Sequence, residues 1–153
     1  MKRALDFAYR TQKRLWKLLR PRTRGVKVML FNGAGDVLLI RNSYGRSDLF
    51  VLPGGGVRPW EDLEPAARRE VREELGCEVE QLAPASTHYS TAEGKRDTIH
   101  LFSGLVLGRP RADRFEVEEA DFFPFDALPP NLSEATRRRI EEHRGQRERD
   151  GAW

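Results

Sequence analysis

Three glutamates, Glu70, Glu73 and Glu74, stand at i, i+3 and i+4 within the stretch Gly55–Cys77, GGVRPWEDLEPAARREVREELGC. On a helix this spacing projects all three carboxylates from one face, close to one another. Three negative charges so placed exceed what neighbouring side chains ordinarily tolerate. Hard oxygen ligands of this kind suit Mg²⁺ or Mn²⁺ rather than zinc, which would call for His or Cys. The histidines, His88, His100 and His143, are scattered and show no ligand spacing. Just upstream, Gly54, Gly55 and Gly56 let the backbone approach a ligand closely, so that carbonyls can reach a metal or amides a phosphate.

The element that must position the glutamates is a helix expected over Glu61–Leu75. Asp62 is a plausible N-cap, Pro65 sits in the first turn where its missing N–H does no harm, and Gly76 supplies the left-handed stop. At about 100° per residue, Leu63, Ala67, Val71 and Leu75 form the buried stripe, with Arg68, Arg69 and Arg72 on the opposite half. Glu74 falls within the apolar sector, Glu70 on its border and Glu73 a little further round. A solvated face laced with i,i+4 ion pairs does not explain acids turned inward. Carboxylates there are costly unless something cationic compensates.

Around that helix the chain reads mostly as strands. Val26–Asn32 and Val37–Ile40 form a hairpin across Gly33-Ala34-Gly35-Asp36, and Leu49–Leu52 is a short strand before the glycines. Cys77–Ser90 and Asp97–Gly108 are two longer strands separated by a charged loop, Thr91–Arg96. Ala120–Phe125 is a final strand, and Ser133 caps a last helix running to about Arg144. Strands without regular alternation of helices predict an α+β, layered α/β/α fold, a mixed β-sheet sandwiched between helices.

The 153 residues suit a single domain, and 39% hydrophobic with 33% charged residues suit a globular one. The net charge of +3 conceals an asymmetry: residues 1–24 hold nine Lys/Arg against one acid, while residues 25–153 hold 18 against 23. Residues 1–23 are expected to form a basic amphipathic helix, with Leu5, Ala8, Leu15, Trp16 and Leu19 at helical spacing and Pro21 as the stop. Such a helix could dock on its own domain or a dimer mate, lie on an anionic membrane surface, or contact RNA. No apolar h-region or cleavage site marks it as a secretory signal. No apolar run approaches the roughly 20 residues of a membrane span. The single cysteine, Cys77, has no internal partner, which fits a reducing compartment and predicts a cytoplasmic protein. The main domain is expected over 24–145 and a flexible tail over 146–153.

The series Gly55, five residues, Glu61, seven residues, Arg69-Glu70-Val71, one residue, Glu73-Glu74, one residue, Gly76-Cys77 resembles the box of the Nudix hydrolase family. Every fixed position matches, and Cys77 stands where an aliphatic residue is usual. The flanks are similar too: the hairpin before the box, the Leu52–Gly56 approach and the Glu116–Phe123 segment. The resemblance covers about Arg24 to Arg144. It implies hydrolysis of a nucleoside diphosphate linked to another moiety, by attack of water on a pyrophosphate phosphorus. Glu70, Glu73 and Glu74 would match the metal-binding glutamates, with Gly54 contributing its carbonyl and Arg69 holding the glutamates by hydrogen bonds, a role that competes with its outward placement above. Glu61 would be structural. A late glutamate would complete the site, Glu116 first and Glu119 second.

Divalent ions neutralise the pyrophosphate and lower the pKa of bound water while a glutamate takes the proton, and Arg41, Lys95 or Arg96 could hold a phosphate. Nucleoside triphosphates, nucleotide sugars and 5′-pyrophosphate RNA all stay open as substrates. The proline that marks ADP-ribose subfamilies is missing from Ser90–Gly94. The alternative is a catalytically idle Nudix-like module that binds a nucleotide or RNA. Idle members usually lose a box glutamate, and this chain keeps all of them.

Overall fold

The computed structural model describes residues 2–153, and the side chains of all of these but Lys2, Arg3 and Leu5. In chain order the elements are α1 (Lys2–Leu19), β1 (Arg22–Phe31), β2 (Val37–Asn42), β3 (Phe50–Val51), α2 (Leu63–Leu75), β4 (Glu78–Ser90), a 3₁₀ turn (Ala92–Gly94), β5 (Arg96–Leu107), β6 (Val117–Phe123) and α3 (Glu134–His143). The sheet order is β3-β2-β1-β5-β4, with β6 also paired to β2. Only β1 and β5 run parallel, in register from Arg22 opposite Arg96 to Phe31 opposite Leu105; the other pairs are antiparallel.

The two-residue period of the strands divides the core into two layers. Val26, Val28 and Leu30 of β1, with Leu38 and Ile40 of β2, pack under Ala66, Ala67, Val71 and Leu75 of α2. Met29, Val37 and Leu39 point the other way, against Ile140 of α3, Leu52 and Leu132. The fold is thus the expected mixed sheet between helices, with a helical leader ahead of it.

Several boundaries differ from the sequence reading, each for a local reason. Helix α2 begins at Leu63 rather than Glu61, because Glu61 turns back to accept the Arg58 amide at 3.2 Å. Asp62 has extended N-cap dihedrals but makes no side-chain cap bond, whereas Gly76 is left-handed as expected. Strand β3 has only two residues; Phe50 instead exchanges backbone bonds with Asn131 and Ser133 just ahead of α3. Strand β6 starts at Val117, launched by Asp113, whose Oδ1 accepts the amides of Phe115, Glu116 and Val117.

The tail expected to be flexible is held. The Tyr89 amide donates to Gly151, the Trp153 amide to Tyr89, and Arg138 and Arg139 donate to the carbonyls of Trp153 and Ala152. It continues the edge of β4 and lays Trp153 beside Arg139.

Candidate active site

The glycine run is stitched to β1 by two backbone bonds, from Val28 to Pro53 and from Val26 to Gly55. This close approach is what forbids side chains. At Gly54, with φ of +134°, a Cβ would lie 2.2 Å from the Val26 carbonyl oxygen. At Gly55 a Cβ would lie 2.6 Å from Glu70 Oε2. The glycines therefore fit the backbone between a strand and a carboxylate.

On α2, Glu70 and Glu74 are buried, while Glu73 stays half exposed at 53% of its side chain. Glu74 Oε2 accepts the Gly54 amide at 2.9 Å. Burial pushes the Glu74 carboxyl up to about 8, against the pull of Lys27 and of that amide. Burial raises Glu70 as well, with Arg69 opposing. Arg69 is the hub. It donates from Nε and Nη2 to the two oxygens of Glu61, each at 2.8 Å, and from Nη1 to Glu70 at 2.7 Å and Glu73 at 3.1 Å. Its Nη2 also reaches the Gly56 carbonyl at 2.9 Å. The Arg69 hydrogen bonds bring Glu61 down to about 2. The helical wheel alone turned Arg69 outward; its long side chain instead folds along the helix to the loop and the three glutamates.

The sequence reading missed Lys27. Its Nζ donates to the carbonyls of Leu52 at 3.0 Å and Gly54 at 3.1 Å. Burial lowers its pKa, while Glu74 and Glu70 act to keep it charged. A cation between Val26 and Val28, inside the otherwise apolar stretch Val26–Phe31, was the available signal.

Residues 21–143 match the family model of the NUDIX domain. The chain belongs to that family. Among curated proteins, it is 31% identical over 123 residues to the NAD-capped RNA hydrolase NudC of Deinococcus radiodurans, covering 75% of this chain and 42% of that protein. It is 34% identical over 90 residues to the nucleoside triphosphatase NudI of Klebsiella pneumoniae, covering 52% and 64%. A solved MutT NUDIX hydrolase from Burkholderia pseudomallei superposes with a TM-score of 0.69 at 28% identity, covering 76% of this chain and 93% of that one. The chain spans about two fifths of the length of the NudC proteins it matches.

In this NUDIX domain the structure brings Gly54, Arg69, Glu70, Glu73 and Glu74 into one group. Glu116 stands at its margin: its carboxyl is raised by burial and then by Asp113 and Glu73, and its charge acts in turn on Glu74 and Tyr44. Glu119 points elsewhere, held by Arg41 at 3.0 Å. Arg41 also donates to the Ser47 carbonyl, so its guanidinium fastens β2 to β6 and the following loop. Lys95 pairs with Asp97 at 3.2 Å and lies over the Trp16 ring. Arg96 lines a cleft of 620 Å³ with Arg22, Arg24, Tyr89 and Asp97, a lining that includes none of the glutamates.

Among the described residues, no three His, Cys, Asp or Glu side chains converge as a ready-made metal cluster. Glu73 is drawn to Arg69 and Arg58, and Glu74 to the Gly54 amide. The donors nonetheless fit a hard divalent cation: they are all oxygen, and Glu74 is a buried acid that the Lys27 charge acts on without a direct ion pair among the described residues. Glu70, Glu73, Glu74, Glu116 and the Gly54 carbonyl could hold such an ion.

Proposed function

We propose that the chain is a metal-dependent pyrophosphohydrolase acting on a nucleoside diphosphate linked to another moiety, such as a nucleotide sugar or nucleoside triphosphate. The observation that carries this is the Arg69 hub, which gathers Glu61, Glu70 and Glu73 beside a glycine run whose amide is taken by Glu74. A bound Mg²⁺ or Mn²⁺ would neutralise the pyrophosphate oxygens and acidify a water. Glu70, Glu73, Glu74, Glu116 and the Gly54 carbonyl would hold it. One of these glutamates takes the proton from the attacking water. The water oxygen bonds to phosphorus, the anhydride P–O bond breaks, and the leaving phosphate takes the electron pair.

Arg69 keeps the carboxylates in position throughout. Lys27, donating to the Gly54 carbonyl, holds the loop against β1 and balances part of the acidic charge. Of the phosphate-holding candidates, Lys95 is the one whose charge acts on Lys27. Arg41 would have to leave Glu119 to do the same.

The test is chromatographic detection of the nucleoside monophosphate or other phosphomonoester products formed from a panel of nucleoside triphosphates, nucleotide sugars, dinucleotides and NAD-capped or triphosphorylated RNA, with and without Mg²⁺ or Mn²⁺. Wild type is expected to turn over one class in a metal-dependent way. The half-exposed Glu73 allows Glu73→Gln to fold normally, and that variant is expected to lose about 10²–10⁴-fold in rate. Full activity in Glu73→Gln would remove the proposed site. Silence of the wild type across the panel, with Mn²⁺ still bound, would favour a binding module.

A further inference from the structure

Helix α1 docks through a mixed polar and aromatic face and leaves most of its described apolar residues outside. An amphipathic helix on a domain normally buries its apolar stripe and wets its polar one. Among the described side chains of the helix, the inward ones are Asp6, Tyr9, Lys13 and Trp16. Asp6 accepts the Gly45 amide at 3.1 Å, the Tyr9 hydroxyl donates to Glu93, and Lys13 pairs with Glu93 at 2.9 Å. The Tyr9 and Tyr44 rings meet edge to face at 5.7 Å, and Trp16 lies under the Lys95 ammonium. The contact is close: a Cβ on Gly94 would lie 2.6 Å from Lys17 Cα. This docking leaves Phe7, Leu15, Leu18 and Leu19 facing solvent, 73%, 52%, 81% and 63% exposed. At about 100° per residue they fall in one sector, bordered on one side by the exposed Arg14, Arg10 and Lys17.

We infer that this face docks the protein on an anionic phospholipid surface. A helix with leucines and phenylalanine on one side and arginines beside them lies in the plane of a bilayer interface, its apolar face among the acyl chains and its cations at the headgroups. No described helix is long and apolar enough to cross a membrane, so the contact is peripheral. The charge pattern selects this occupant. A second copy would press together two helices that each carry six Lys/Arg against one Asp. A nucleic-acid backbone would satisfy the arginines but leave four large apolar side chains in water. The same helix spans the Tyr44–Gly45 loop and the Ala92–Gly94 turn, and Tyr44 lies in the field of Glu116, Glu74 and Glu70. A docked protein would therefore turn this side of the candidate site toward the lipid. The inference is independent of the proposed chemistry.

The experiment is co-sedimentation of the full chain with phosphatidylcholine vesicles, with and without phosphatidylglycerol, at physiological salt. Wild type should sediment only with the phosphatidylglycerol vesicles. Phe7→Ser/Leu18→Ser and Arg10→Glu/Arg14→Glu alter only exposed side chains, and each pair should weaken binding by about tenfold or more. Melting curves for both should overlay that of the wild type.

Wild type that stays in the supernatant would overturn the inference. So would wild-type affinity in Phe7→Ser/Leu18→Ser, which would reduce the contact to charge alone. A dimer by light scattering that Leu18→Ser dissociates would assign the face to a second copy. Retention on RNA without retention on vesicles would assign it to nucleic acid.

Discussion

Arg69 donates to both carboxylate oxygens of Glu61, at 2.8 Å from Nε and 2.8 Å from Nη2, and spends its remaining reach on Glu70, Glu73 and Gly56. A planar fork with five N–H groups spread over three nitrogens can reach all of these acceptors at once; an ammonium, with three on a single nitrogen, cannot. Arg69→Lys should therefore keep the charge and lose the arrangement. We expect turnover to fall by about 10–100-fold with an unchanged far-ultraviolet spectrum, the range for losing a residue that orients ligands. Unaltered turnover in a folded Arg69→Lys would show that the hub positions nothing of consequence.

The two glycines beside the glutamates should fail differently. In Gly55→Ala the new methyl meets the far end of Glu70, which can move, so folding should survive and turnover should fall by about 10-fold or more. In Gly54→Ala it meets the Val26 backbone at a positive φ, and nothing nearby can yield. Destabilisation there should be about 1–3 kcal/mol or greater. Urea midpoints and rates measured on both variants check the contrast, and equal stability losses would contradict it.

Lys27 and a metal ion would share the Gly54 carbonyl. Lys27→Met removes a competing cation and should tighten Mn²⁺ binding several-fold by calorimetric titration. It also leaves the Leu52 and Gly54 carbonyls without their donor, so the metal-free variant should lose about 1–3 kcal/mol of stability. Weaker Mn²⁺ binding would mean that Lys27 supports the ligands rather than competing with the ion.

His88 sets a pH limit on stability. It is buried, its Nδ1 faces Arg139 Nη1 at 2.9 Å and its Nε2 faces Ser86 Oγ at 2.7 Å. Because the guanidinium can only donate, Nδ1 accepts and Nε2 carries the proton, which keeps the ring neutral. Burial first and Arg139 second lower its pKa, with Glu142 opposing. The unfolded chain then binds the extra proton first. Stability from this group is present above the unfolded pKa of about 6.5 and is lost as pH falls below it toward the folded value. Glu74, pushed up to about 8 by burial, acts in the opposite direction over this range in both proteins, so the His88 contribution is read as a difference: between pH 7.5 and 5.5 the urea midpoint of the wild type should fall relative to that of His88→Gln. An equal pH slope in that variant would refute the assignment.

The sequence by itself was enough for whatever depends on spacing along one element. Glu70, Glu73 and Glu74 at helical intervals, Gly76 as the stop and the glycine run ahead of α2 identified the helix, its special face and the family resemblance. The order of elements, strands without regularly alternating helices, pointed to the mixed sheet, because which segments read as strand and which as helix is a local property of the chain.

Tertiary structure decided what depends on residues brought together from afar. Lys27 gains its place only when β1 lies beside the Leu52–Gly54 backbone. Arg69 turns from an outward position to the centre because Glu61 and Gly56 lie within its side chain's reach. Arg41 is occupied because β6 delivers Glu119, and the tail is ordered because β4 offers Tyr89 as an edge. Helix α1 leaves Phe7 and its described leucines exposed because Glu93, Lys95 and Gly45 present charges and an amide that Lys13, Trp16 and Asp6 meet. Periodicity reports that a helix has two faces; only the surface it meets determines which one is buried.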